Sequence, residues 1–165
     1  MSDLFLRLEA LPYSVFVRES GSIWAFPMYL FAHTLGMATM VGGATVISFA
    51  LLGFWPKGVP IKPLAKLYPM MWVAFYVNLF TGVSIFMKDA NSYGRNTDFY
   101  VKLVCVAGGV WLMSRMKKSM LADPQLDAGP VPAYLKRMAG LSLACWFLAM
   151  VTGRLIAYVG PVPGL

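Results

Sequence analysis

Four long apolar runs, separated by short polar stretches, dominate the chain. The first covers residues 23–54. It has no Asp, Glu, Lys or Arg, and it carries the only histidine, His33. Its length of about 32 residues exceeds the ~20 that cross a bilayer core as a helix, so its ends are expected to project into the interface. Trp24 and Tyr29 near one end and Trp55 at the other stand where an interfacial aromatic belt would place them. Pro27 falls in the first turn, where a missing N–H does little harm. Further spans are predicted at residues 67–87, 98–116 and 138–159. Ahead of them, Leu4, Leu8, Leu11 and Val15 recur at helical spacing over residues 3–17, with Arg7 and Glu9 between. That pattern predicts a short amphipathic helix lying in the interface, followed by a polar hinge at residues 18–22. Residues 55–66, with three prolines and a glycine, read as a tight loop; 88–97 and 115–137 read as two more. The closing PVPGL has no helix potential. The expected fold is therefore all-α: a four-helix transmembrane bundle with a short N-terminal interfacial helix, one integral-membrane domain over 1–165.

Composition supports this reading. The chain is 59% hydrophobic and 13% charged, where a soluble domain is nearer ~25% charged. Its mean hydropathy is +0.66. A net charge of +7 raises nucleic acid as a partner. However, the basic residues sit in the connections between spans, and no basic face with interleaved aromatics lies outside them. The lipid bilayer is the expected partner. Four spans put both termini on one side. Lys57, Lys62, Lys66, Arg115, Lys117, Lys118, Lys136 and Arg137 fall on the other side, against Arg7, Arg18, Lys88, Arg95, Lys102 and Arg154 on the terminal side. The positive-inside bias then puts both termini in the periplasm of a bacterial inner membrane. The N-terminal stretch has no signal-peptide pattern, since Asp3 and Glu9 interrupt it. Cys105 and Cys145 are expected roughly 10 Å deep from opposite membrane faces. Two free thiols follow, because a disulfide needs Cα atoms within ~7 Å.

The polar residues inside the spans carry the candidate chemistry. His33, Lys102 and Arg154 fall in the terminal half of the bundle, with Asn78 and Thr81 at middle to terminal depth. His33 shares a helix face with Tyr29, Met37 and Met40, and Gly36 and Gly43 beside it would let a group approach the backbone. A neutral imidazole suits haem iron, copper or zinc. A b-type haem would take His33 as axial metal ligand, with Arg154 and Lys102 near its propionates. A quinone head group would use much the same residues, with Tyr29 for stacking. In the bland reading, His33 is a buried histidine bonded to Asn78, Thr81 or a carbonyl; Lys102 snorkels, and Arg154 pairs with Glu19 or Asp89. Met37 cannot oppose His33 on one iron, because both leave the same face. A second ligand would come from Met70, Met71, Met150 or another subunit. Most of the twelve methionines read as packing. Small residues at spacing four, including Ala32 with Gly36, Ala38 with Gly42, Gly140 with Ala144 and Ala149 with Gly153, suit close helix packing.

Several stretches in order resemble a bacterial inner-membrane family, the domain of unknown function 6644. They are Glu19-Ser20 with Ile23-Trp24 and Pro27; His33 with Leu35-Gly36; Gly42-Gly43; Leu51-Leu52-Gly53; Pro69-Met70 ahead of Thr81-Gly82; Phe99 with Lys102; Ser142-Leu143 and Trp146; and Gly153-Arg154 with Ile156-Ala157-Tyr158. The resemblance covers residues 18–159 and implies a four-helix membrane protein with no settled activity. It puts His33, Lys102 and Arg154 on the family's polar motif positions. One departure is Ile47-Ser48-Phe49-Ala50, where family members often carry Asp-Leu-Arg.

The leading expectation is a small membrane redox subunit. It would bind b-type haem through His33 and exchange electrons with a membrane or periplasmic redox partner, or with the quinone pool. The candidate set is His33, Arg154, Lys102, Tyr29, Gly36 and Asn78. A non-catalytic scaffold or accessory subunit of a larger complex or homo-oligomer is the second class, and copper or other metal handling the third. No nucleophile–base pair supports an independent hydrolase.

Overall fold

The computed structural model describes residues 2–124, 126–156 and 158. The fold is all-α. Two short helices, α1 (Ser2–Glu9) and α2 (Pro12–Glu19), precede the long α3 (Phe26–Leu52). A 3₁₀ turn at Lys62–Lys66 leads into α4 (Leu67–Lys88). The one-turn α5 (Ala90–Gly94) then precedes α6 (Thr97–Ala122) and α7 (Ala133–Leu155). Among the described residues, four helices are long and apolar enough to cross a membrane. Large apolar side chains face outward along them: Val104 is 72% exposed and Val73 65%. In water such surfaces would aggregate; in lipid they are the solvated face. The chain is a four-span integral membrane protein.

The core follows from chain order. α4 packs on α3 and α7 on α6, and the two pairs meet where α3 lies against α7. Lipid tails are as apolar as leucine, so burial alone does not bind these helices; close contact does. At Gly109 the Trp146 ring of α7 lies so near α6 that a Cβ there would come within 2.7 Å of Cε2. Half the bundle, toward the loop side, is filled with Met71, Met113, Met116 and Met120, joined by Tyr68, whose hydroxyl reaches the Met120 sulfur at 3.6 Å. Across the loop ends, the Asp127 carboxylate accepts from the backbone N–H of Ile61 (2.6 Å) and Lys62 (3.0 Å).

Several boundaries differ from the sequence expectation. α3 starts at Phe26, because residues 23–25 form a turn, and ends where Gly53 takes φ 103°, left-handed backbone that glycine adopts without strain. α6 runs six residues past the expected 116, to Ala122. The basic cluster there marks water, not a helix end, since Lys, Arg and Met are good helix formers. α6 is thus about 39 Å long at roughly 1.5 Å per residue, longer than the ~30 Å hydrocarbon core. Its last turns stand in the interface. α7 likewise begins at Ala133 rather than 138, so the expected 115–137 loop shrinks to residues 123–132. The 55–66 and 88–97 loops each hold a short helix. The single amphipathic helix over 3–17 is two helices, because Pro12 pushes Leu11 into extended backbone (ψ 141°). Its inward face is also not the leucine stripe: Leu4 and Leu11 are exposed, while Ser14 and Val17 are buried. The closing PVPGL lies outside the described residues, as does Val159 of the expected fourth span.

The earlier start of α7 also moves Cys145. Its sulfur lies 3.4 Å from where a Gly108 Cβ would stand, so it sits one turn from the level of Cys105 rather than in the opposite half of the membrane. Both thiols are free.

The short helices close the terminal end. Phe5 of α1 meets Phe86 of α4 edge-on, and Phe86 stacks on Phe99 of α6 at 5.2 Å. The Glu9 carboxylate accepts from the Asn91 N–H at 2.7 Å, tying α1 to α5. Burial, with the nearby Asp89 carboxylate, pushes the Tyr93 hydroxyl above the ordinary tyrosine range. The folded state therefore holds this proton more tightly than the unfolded chain does. The resulting stability is complete below about pH 10 and is lost as pH rises beyond it. Tyr93→Phe should remove part of the alkaline loss of thermal stability; an unchanged alkaline limb would show that this hydroxyl contributes nothing.

Candidate functional site

α3 and α4 run antiparallel, and their facing positions form rungs. At one rung, toward the terminal end, Tyr29 faces the turn that carries Ser84. Below it His33 meets Thr81, and below that Gly36 meets Asn78. The next rungs toward the loop side are apolar, with Met40 and Ala74 buried and then Met71 against Gly43. So the seam is polar in its terminal half and closed by methionine below.

His33 lies about seven residues into α3, or ~10 Å along the axis. Its Nδ1 is 2.9 Å from Thr81 Oγ1. Thr81 Oγ1 in turn is 2.7 Å from the Val77 carbonyl oxygen, to which it donates its only hydrogen. The hydroxyl oxygen is then an acceptor, and Nδ1–H donates to it. This contact assigns the Nδ1–H tautomer. Nε2 keeps its lone pair and has no protein partner among the described residues. Gly82 makes room for the ring: a Cβ there would come within 3.3 Å of His33 Cε1.

Asn78 stands one turn deeper. Its amide presses on Gly36, where a Cβ would come within 2.8 Å of Oδ1 and 3.2 Å of the Ala74 carbonyl oxygen. Both side-chain polar atoms, Nδ2 and Oδ1, are buried without a partner. In hydrocarbon each such group costs several kcal/mol, on the order of the loss of a hydrogen bond in an apolar medium. Lys102 of α6 faces His33 closely enough to act on it electrostatically, and its ammonium end rests against Gly153 of α7.

The structure thus gathers His33, Lys102, Gly36 and Asn78, with Tyr29 a turn above. It does not bring Arg154 to them. That side chain is exposed, and its guanidinium lies over Tyr158, 5.5 Å from the ring centroid. Glu19, one of its two expected partners, pairs with Arg18 at 3.0 Å instead. Sequence reasoning missed Tyr13. Its hydroxyl donates to Tyr29 (3.1 Å) and lies 2.7 Å from Ser84 Oγ. Nothing local in the sequence signals this, because Tyr13 reads as part of an interfacial helix. Gly82, in the quoted Thr81-Gly82 pair, was the available sign of a close approach.

A b-type haem needs an axial donor, and His33 Nε2 meets that need. The expected second ligands do not lie at its level. Met71, opposite Gly43, is about ten residues and ~15 Å deeper along the bundle axis, and Met70 is its neighbour. Met150 lines a cleft of about 380 Å³ between α3 and α7 together with Val41 and Thr45, well below His33. The glycines expected to open a slot are filled by Asn78 and Met71. One chain therefore fits haem at one axial position only. No group of three or more His, Cys, Asp or Glu side chains able to hold a metal occurs among the described residues. No family model, curated protein or solved structure matches the chain.

Proposed function

We propose that the protein is a small redox subunit of the bacterial inner membrane, with both termini periplasmic, that binds a redox cofactor at His33. The observation that carries this reading is the unpartnered Nε2 lone pair one turn from the unpartnered Asn78 amide. Together they offer an acceptor and a donor one turn apart in lipid. That pair suits the oxygens of a quinone or quinol, which enters sideways from the bilayer and supplies two-electron chemistry. Lys102 favours the more anionic form of such a head group. Tyr29 is held through Tyr13 and packs at a tilt on Phe80, ring centroids 6.0 Å apart, so it borders the site rather than entering it.

A second reading rests on a separate observation. Thr81 holds the His33 tautomer as an outer partner fixes a metal-ligating histidine. Haem iron on Nε2, with Lys102 toward a propionate, would supply one-electron transfer. The opposing ligand would then come from another subunit or be missing. In either reading electrons pass to a partner at the terminal side. The resemblance to the four-helix family of unknown function supports the same placement of His33 and Lys102.

The deciding experiment is a visible spectrum of the purified protein, together with analysis of its extracted lipid. A Soret band assigns haem; a stoichiometric quinone without one assigns the quinone reading. Neither, in protein still folded and complexed, would leave a scaffold or accessory subunit as the better account. Orientation is checked separately. A reporter active only in the cytoplasm should give signal when fused in residues 123–132 and none at the C-terminus; the opposite pattern reverses the topology.

A further inference from the structure

We infer that the cleft where α6 ends and α7 begins binds an anionic phospholipid of the loop-side leaflet, a phosphodiester lipid with a hydroxylated head group. The site is remote from His33 and independent of any cofactor there. Charge is the first observation. Of the seven carboxylates, only Asp123 and Asp127 stand at the loop end, against eight of the fourteen Lys and Arg side chains. Six of the seven net positive charges therefore sit at one end of the bundle. Among the described residues no ion pair joins any of the eight to a carboxylate, and Asp127 is taken up by the Ile61 and Lys62 N–H groups. Such a surface draws anionic lipid toward it.

The second observation is a concavity of the right chemistry at the right depth. The cleft has a volume of about 420 Å³ and is lined by Arg115, Lys118, Ser119, Ala122, Asp123 and Tyr134. Residues 103–114 carry no charge, so Arg115 is the first charged group met on leaving the hydrocarbon along α6. One turn deeper on the same face, Trp111 is 61% exposed and faces the acyl chains. The Arg115 guanidinium lies over that ring, 5.8 Å from its centroid. Lys117 turns away, over Tyr68, and Met116 and Met120 fill the core. Arg115 presents a fork of N–H donors that spans two phosphate oxygens, and Lys118 adds a point charge one turn farther out. Ser119 and Tyr134 add hydroxyls. The Asp123 carboxylate opposes a bare phosphate dianion, but its oxygens accept from head-group hydroxyls. Two cations and one carboxylate leave one positive charge in the cleft. A singly charged phosphodiester with free hydroxyls neutralises it; a zwitterionic lipid does not.

Trp111 supplies the readout. In phosphatidylcholine vesicles, a small fraction of phosphatidylglycerol brominated on its acyl chains should quench tryptophan fluorescence more than the same fraction of brominated phosphatidylcholine. The excess should disappear in Trp111→Phe. Arg115→Gln combined with Lys118→Gln should weaken the preference for phosphatidylglycerol on the order of tenfold, from the attraction of two cations near the surface. Lys136→Gln combined with Arg137→Gln removes the same charge from the same end, outside the cleft, and should leave the excess in place. Equal loss in both pairs would mean a diffusely charged surface and overturn the inference. So would quenching indifferent to the head group. Relief of the excess by millimolar inorganic phosphate would assign the cleft to free phosphate and overturn the lipid as its occupant. Arg115 and Lys118 are exposed, so their replacement should leave the fold intact. If that pair does not fold, Trp111→Phe decides alone, and an excess that survives it overturns the site.

Discussion

Gly109→Val should drive α6 from α7 and cost about 1–3 kcal/mol, the usual penalty of overpacking a filled core. A Cβ at this position would stand 2.7 Å from Trp146 Cε2 and 2.8 Å from Cζ2. Those atoms belong to a rigid ring that is only 3% exposed and so has nowhere to turn. The bilayer adds no compensation, because the displaced ring would meet lipid as apolar as the core it left. Gly140→Val is the matched control, since nothing lies within 4 Å of a Cβ there. Thermal unfolding in one detergent should show a lowered midpoint for Gly109→Val and little change for Gly140→Val. Equal midpoints would mean the α6–α7 contact is not what holds this pair.

His33→Ala should abolish retention of the proposed cofactor while the bundle still inserts. The effect is large because the residue supplies the open donor atom and no second histidine can substitute. Thr81→Val keeps the ring but removes the acceptor that fixes Nδ1–H. Loss of such an outer partner typically costs about 10–100-fold in affinity. Thr81→Ser, which restores the oxygen, should recover most of it. Retention measured by visible spectrum or by quinone content should therefore order as wild type, Thr81→Ser, Thr81→Val, His33→Ala. Cofactor that survives His33→Ala would place the site elsewhere. Survival in Thr81→Val alone would show that the hydrogen bond orients the ring without supporting the ligand.

The spans were legible because continuous apolar runs have one inexpensive solution in lipid, a helix. Their ends were less so. Charge in the sequence reports where water begins, and α6 carries Lys117 and Lys118 on into water as a helix, with Met116 and Met120 still facing the core. The polar half of the bundle was legible from depth alone: His33, Asn78 and Lys102 were expected together and are found so. Arg154 was not separable from them by depth, because depth along a helix says nothing of its azimuth. Small-residue spacing was equally blind to direction. Gly36 and Gly153 receive a neighbour's side chain, whereas Gly42 and Gly140 face open space. Tyr13 was out of reach for a different reason. Its partners are 16 and 71 residues away, on two other helices.

The pairing of neighbours also bears on how the protein is made. α3 with α4, and α6 with α7, are each consecutive in the chain, so either hairpin can form as it leaves the ribosome and enter the bilayer by itself. The α3–α7 seam, the Phe86–Phe99 stack, the Tyr68–Met120 contact and the Asp127 clasp on Ile61 and Lys62 need both halves present. The Asp127 clasp closes 66 residues of chain with one carboxylate at the loop end. Biogenesis would then run as two insertions and one docking step. A chain arrested after the first hairpin would offer the face of α3 that meets α7, with Val41, Thr45 and Phe49, to whatever insertion machinery holds it until its second half arrives.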